Sequence, residues 1–83
     1  MKINNSLLSK YSTQSLSLAA AISLFLPIKE IDKSNPHKAI FIFEKDPKLE
    51  KLIESYWKNE LKVSASEYFN QLRNIKTRLY GGE

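Results

Sequence analysis

Arg73, Lys76 and Arg78 are the residues of this chain whose types and spacing best suit a chemical task. No acidic residue stands between Glu67 and Glu83, and Asn70, Gln71, Asn74 and Thr77 surround the three cations with neutral hydrogen-bonding groups. Both arginines of the chain belong to this cluster. A guanidinium holds a phosphate through two parallel N–H donors, and Asn or Gln amides match base edges, so a helix carrying this set has the make-up of a nucleic-acid-facing surface. The competing explanation is structural. Cations near a helix C-terminus oppose its dipole, and any exposed helical face is polar. About three or four phosphate contacts give only weak, strongly salt-dependent binding, so Lys33 and Lys38 in a predicted loop, with Lys2 and Lys10, are the lysines that would have to add to them.

Other chemistries fare worse. Carboxylate pairs occur at Glu50/Glu54 and Glu44/Asp46, but acid–base work needs one member held in an apolar or like-charged pocket. Glu50 and Glu54 fall among Lys48, Lys51 and Lys58 on a polar helix face, as solvated ion pairs would, and Asp46 is placed to cap a helix. His37 is the single histidine, beside Pro36 in a loop, which excludes a multi-histidine metal site. The two glycines, Gly81 and Gly82, lie too late to build a phosphate loop or a dinucleotide fingerprint. Without cysteine there is no disulfide, thiolate zinc site or thiol redox chemistry, which suits a cytoplasmic protein. The expectation is a non-enzyme with no cofactor, no metal and no small-molecule substrate.

The aromatic residues are mostly assigned to the core. Lys38-x-x-Phe41-x-Phe43 has the alternating aromatics of an RNA-recognition strand. It lacks that motif's small residues, and two predicted strands cannot form its four-stranded platform, so Phe41 and Phe43 read as core. Tyr56 and Trp57 keep a polar tip each and are placed at the core edge, where a protein partner would meet them.

These side chains need a scaffold, and 83 residues make one small domain. The composition is globular rather than disordered, and the formal charge of +4 is compatible with a polyanionic partner without requiring one. Residues 1–10 read as a loosely ordered arm, 11–80 as a compact domain and 81–83 as a flexible end. Ser12 or Thr13 is expected to cap a first helix running from Leu16 to Phe25, apolar on nearly all faces and closed by Pro27. Lys2 and Lys10 before Leu16–Leu26 superficially resemble a signal peptide, but no small-x-small cleavage site follows; a buried helix is expected, too short to span a membrane. Leu26–Asp32 reads as a first strand, Asp32–His37 as a turn-rich loop and Lys38–Glu44 as a second strand, paired as an antiparallel hairpin.

Asp46-Pro47 starts a second helix with the stripe Leu49, Leu52, Ile53, Tyr56 and Trp57. Ser64-Ala65-Ser66-Glu67 is a capping box for a third, with Val63 placed as a staple on Tyr68 and an inner stripe of Tyr68, Phe69, Leu72, Ile75 and Leu79. Tyr80 lies at its margin and Gly81-Gly82 stops it. The expected fold class is α+β, helix–strand–strand–helix–helix, with a two-stranded antiparallel hairpin packed on three helices.

Read together, Ser12-Thr13-x-x-Leu16-x-Leu18-Ala19-Ala20, Phe41-Ile42-Phe43-Glu44, Tyr56-Trp57-x-x-Glu60-Leu61-x-Val63, Tyr68-Phe69-x-x-Leu72 and Lys76-x-Arg78-Leu79-Tyr80 resemble a family of small uncharacterised domains from bacterial and phage-like genomes, a domain of unknown function. The resemblance spans about residues 11–80. It rests mostly on core positions, so it bears on fold and supplies no site residues. The chain departs from the family's pattern near Phe25, where a glycine commonly closes the first helix, which puts that turn's geometry in question. The resemblance implies an accessory protein of bacterial or mobile-element context. Two partner classes follow from the residues. One is DNA or RNA, met by Arg73, Lys76, Arg78 and Asn70 with Lys33 and Lys38; the alternative is a protein, met by Tyr56 and Trp57 in a phage-type inhibitor or assembly subunit. No membrane partner is expected.

Overall fold

Alternating aromatic and β-branched residues make Lys38–Glu44 a strand, and the rest of the molecule is arranged around it. The computed structural model describes residues 10–35 and 37–80. In chain order these form β1 (Lys10–Thr13), α1 (Leu16–Ser23), β2 (Glu30–Asn35), β3 (Lys38–Glu44), α2 (Pro47–Trp57) and α3 (Ala65–Tyr80). The fold is α+β with three helices, as expected, but the predicted two-stranded hairpin is a three-stranded antiparallel sheet in the order β1-β3-β2. The first element among the described residues is therefore a strand. The expected arm at 1–10 lies outside the described residues except for Lys10, which pairs with Glu44; Tyr11, Ser12 and Thr13 pair with Phe43, Ile42 and Phe41. The flexible end expected at 81–83 also lies outside them.

β1 changes the cap of α1. Ser12 and Thr13 are committed to the sheet, and Ser15 is the N-cap, its Oγ accepting from the Leu18 N–H at 3.1 Å. Thr13 Oγ1 accepts in turn from the Ser15 N–H at 3.0 Å, which turns the chain from strand to helix. α1 ends at Ser23, earlier than the expected Phe25. The N–H groups of Leu24 and Phe25 bond carbonyls three residues back, at 3.3 and 2.9 Å, and tighten the last turn. Leu24 stays right-handed at φ −72°, so this turn forms without the left-handed position a glycine would serve.

The first hairpin strand lies later than Leu26–Asp32. Glu30, Ile31 and Asp32 face Ile42, Phe41 and Ile40, after which the register slips by one residue before Asn35 meets Lys38. The slip is a bulge, and Asp32 Oδ1 stabilises it by accepting from both the N–H and the hydroxyl of Ser34. The connection expected over Asp32–His37 shrinks to positions 36 and 37, of which Pro36 lies outside the described residues. The Asn35 side chain accepts from the His37 N–H at 2.9 Å.

Opposed residues share a face of the sheet. One face carries Tyr11, Ile31, Ala39, Phe41 and Phe43, and the helices cover it. Phe41 and Phe43 are buried with Leu18, Ala19, Ala20 and Ile22 of α1, Leu49 of α2 and Ile75 of α3. Burying a Phe side chain contributes about 2–3 kcal/mol, so these two are large terms in a domain this small. The three alanines let neighbours approach α1 closely, and all of Leu18–Ile22 is buried. The opposite face, with Ser12, Glu30, Asp32, Ile40 and Ile42, is turned away from that cluster. No helix among the described residues is long and apolar enough to cross a membrane.

Candidate nucleic-acid interface

α3 runs from Ala65 to Tyr80, preceded by Ser64, whose Oγ accepts from the Glu67 N–H at 3.4 Å. It rests on the core through Ile75, fully buried, flanked by Tyr68, Leu72 and Leu79. At about 100° per residue, Phe69 lies roughly 90° from the centre of that stripe. Phe69 was expected inside and is instead 60% exposed; Tyr80, at the other end, is 79% exposed.

Phe69, Arg73, Lys76 and Tyr80 fall at i, i+4, i+7 and i+11, within an arc of about 60°. Together with Leu72 and Thr77 they line one shallow open groove along the outer side of α3. The two cations are thus side by side, with an aromatic ring beyond each. Arg78 does not join them. It lies about 140° from Arg73 around the axis and lines a separate depression with Ser23, Pro27 and Asn74. The predicted basic cluster is therefore divided between two sides of the helix.

The neutral amides are also accounted for. Asn74 donates to Gln71 Oε1 at 3.2 Å, Gln71 donates to Ser23 Oγ at 2.8 Å, and Ser23 donates to the Ala20 carbonyl at 2.8 Å. This relay ties α3 to α1. Asn70 Oδ1 accepts from Arg73 Nη1 at 3.5 Å, a long contact that leans the guanidinium along the helix. Lys33 reaches α3 from β2: its Nζ donates to the Arg78 carbonyl at 3.0 Å, serving a group near the negative end of the helix dipole. With His37 and Tyr80 it lines a further groove where the hairpin end meets α3. Tyr80 borders both grooves, which brings Lys33 to the C-terminal end of the Arg73–Lys76 face. Lys38 is not brought there, since strand alternation places it on the sheet face of Ile40 and Ile42. Lys10 is paired in β1, and Lys2 lies outside the described residues.

The chain matches the family described as Domain of unknown function (DUF5659) over residues 9–81. It belongs to that family. Neither the curated proteins nor the solved structures provide a match. Among the residues quoted above for the resemblance, Leu18, Ala20, Phe41 and Phe43 are buried and Leu72 is half-buried, whereas Trp57, Phe69, Lys76, Arg78 and Tyr80 are exposed.

The second surface of this DUF5659 chain surrounds Trp57. α2 ends in a Schellman motif: Asn59 is left-handed at φ 60°, its N–H bonds the Tyr56 carbonyl at 3.1 Å and the Glu60 N–H bonds the Ser55 carbonyl at 2.8 Å. The turn leads Leu61 and Val63 back beside Tyr68, leaving an open groove lined also by Ala21, Tyr56 and Trp57. The polar tip of Tyr56 is already used, sharing a 2.9 Å hydrogen bond with Ser17 Oγ, while Tyr68 Oη donates to the Ser17 carbonyl at 3.2 Å. Burial, and to a lesser degree the neighbouring Tyr56, pushes the Tyr68 phenol above its ordinary value. Trp57 stands edge-on to Tyr56 at 5.1 Å and is 65% exposed, so the predicted stripe of α2 ends at Tyr56.

The remaining carboxylates are surface groups. Glu54 pairs with Lys58 at 3.0 Å, and Glu44 with Lys29 at 2.9 Å. Asp46 caps α2, accepting from the Leu49 N–H at 2.9 Å. The Lys29 ammonium holds the Glu44 carboxyl below the usual range, and the Ser34 donors do the same for Asp32. Among the described residues no three His, Cys, Asp or Glu side chains converge as metal ligands.

Proposed function

We propose that this chain is a small non-catalytic binding module that associates with nucleic acid through the outer face of α3, as a cytoplasmic accessory protein in the bacterial or mobile-element setting its sequence resemblance implies. The observation that carries the reading is the placement of Arg73 and Lys76 together on an exposed face. Among the described residues neither forms an ion pair, and their stretch of helix holds no carboxylate. Two adjacent cations with no ion-pair partner among the described residues suit a polyanion, and Lys33 beyond Tyr80 adds a further positive charge.

A shift assay at low salt with mixed-sequence DNA and RNA tests this. Arg73→Glu combined with Lys76→Glu should abolish binding while circular dichroism stays native. Arg78→Glu alone, on the other side of the helix, should weaken it far less. Absence of any shift by the wild type at low salt would end the proposal.

A second reading has its own observation. Trp57 stands exposed beside the apolar groove of Leu61, Val63 and Tyr68, the kind of aromatic anchor that dominates protein interfaces. In that reading the chain is a protein-interaction module. Trp57→Ala would then remove a stoichiometric partner in a pull-down and leave nucleic-acid binding unchanged.

A further inference from the structure

Apart from Arg73, the face that carries the two cations offers little of what a duplex-reading helix needs. Sequence reading in a groove uses Asn, Gln and Arg side chains aimed at base edges. Here Gln71 bonds Ser23 of α1, Asn74 donates to Gln71, and Asn70 accepts from Arg73, so each amide has a partner within the protein. The outer face presents instead Phe69 and Tyr80, both more than half exposed, at the two ends of the Arg73–Lys76 pair. Eleven residues of helix separate the rings by about 16 Å along the axis.

Exposed rings gain nothing from the sugar-phosphate surface of a duplex, whose base faces are already stacked on one another. A single strand is different. Its bases are free to lie on aromatic rings, its phosphates follow the cations, and such stacking is indifferent to sequence. Tyr80 also borders the groove of Lys33 and His37, so a strand leaving the helix would meet a further cation.

We infer that the ligand of the α3 face is single-stranded nucleic acid, bound with bases stacked on Phe69 and Tyr80 and phosphates on Arg73 and Lys76. This rests on the nucleic-acid reading above and narrows its partner. The track is short, so the site occupies the lower end of the about 4–16 nucleotides covered by single-strand modules.

The test compares oligo-dT with the oligo-dT/oligo-dA duplex of equal length, by fluorescence anisotropy at low salt. It uses wild type, Phe69→Leu with Tyr80→Leu, and Arg73→Gln with Lys76→Gln. The rings are exposed, so these variants should fold, as circular dichroism would verify. Wild type should prefer the single strand. Loss of both rings should weaken single-strand binding by about tenfold or more per ring and leave duplex binding unchanged. Loss of both cations should weaken both.

Equal affinity of wild type for the two forms, or single-strand binding indifferent to loss of the rings, overturns the inference while the nucleic-acid reading stands. No binding to either form, nor to an oligo-U strand of the same length, ends both. Poly-glutamate bound as tightly as oligo-dT, with the same dependence on Arg73 and Lys76, would assign the face to an acidic protein segment and overturn it as well.

Discussion

Asn59 shows how one residue directs the chain. It alone among the described non-glycine residues has positive φ, and it closes α2 so that Leu61 and Val63 return beside Tyr68. Glycine meets that conformation without strain, so Asn59→Gly should leave stability unchanged or slightly raised. Asn59→Val should cost about 1–2 kcal/mol in denaturant unfolding. Tyr68 sets a pH limit. Its folded phenol holds its proton above the ordinary value, so it contributes stability that is intact below about pH 10 and lost as pH rises from there through the folded value. The alkaline fall in melting temperature should therefore be shallower in Tyr68→Phe. Lys29, raised by Glu44, contributes in the same alkaline window and serves as the parallel control. Glu44 and Asp32 run the other way. Their folded values are depressed, so their contribution is present above about pH 4 and is lost as pH falls through the folded values. NMR titration of Glu44 in Lys29→Gln should move its midpoint back up.

At the scale of elements, α2 was the most legible. Asp46, Pro47 and the spacing from Leu49 to Tyr56 fix its start and its buried face, because cap and stripe are local signals. The strand of Lys38–Glu44 was equally plain. β1 was hidden because four residues carry too little alternation, and because Ser12 and Thr13 are as good at capping as at pairing. The contest between them is settled by β3, whose free edge accepts Tyr11 and Thr13 opposite Phe43 and Phe41. Ser15→Ala should cost about 1 kcal/mol by loss of the α1 cap, and Ser12→Ala much less, when the two are compared by urea unfolding. α1 depends on small residues for its position. Ala20→Leu should overpack the junction of helices and sheet and lower stability by about 1–3 kcal/mol.

For the molecule as a whole, stability should be divided unequally between the two faces of the sheet. Phe43→Ala opens a cavity beneath α1 and should cost about 3–5 kcal/mol, a large share of the roughly 5–15 kcal/mol of a small domain. Ile42→Thr, one position away on the face turned from the helices, should cost far less while keeping a β-branched side chain in the strand. Thermal melts of the two variants would read the difference directly.

The amino-acid order by itself determined the α+β class, the second and third helices, the central strand and the core phenylalanines, since each rests on a local period or cap. It also placed Arg73, Lys76 and Arg78 on the third helix, whereas Lys33, expected in a loop, lies in β2. Tertiary structure decided which of them share an exposed groove. Periodicity shows which residues share a helical face, but not how far a neighbour covers that face. Helical spacing alone sets Arg78 apart from Arg73 and Lys76, but it was the packing of α3 on Ile75 that left Phe69 outside beside the pair. The third strand was decided the same way, since its partner lies far along the chain and only the assembled sheet supplies the edge it completes.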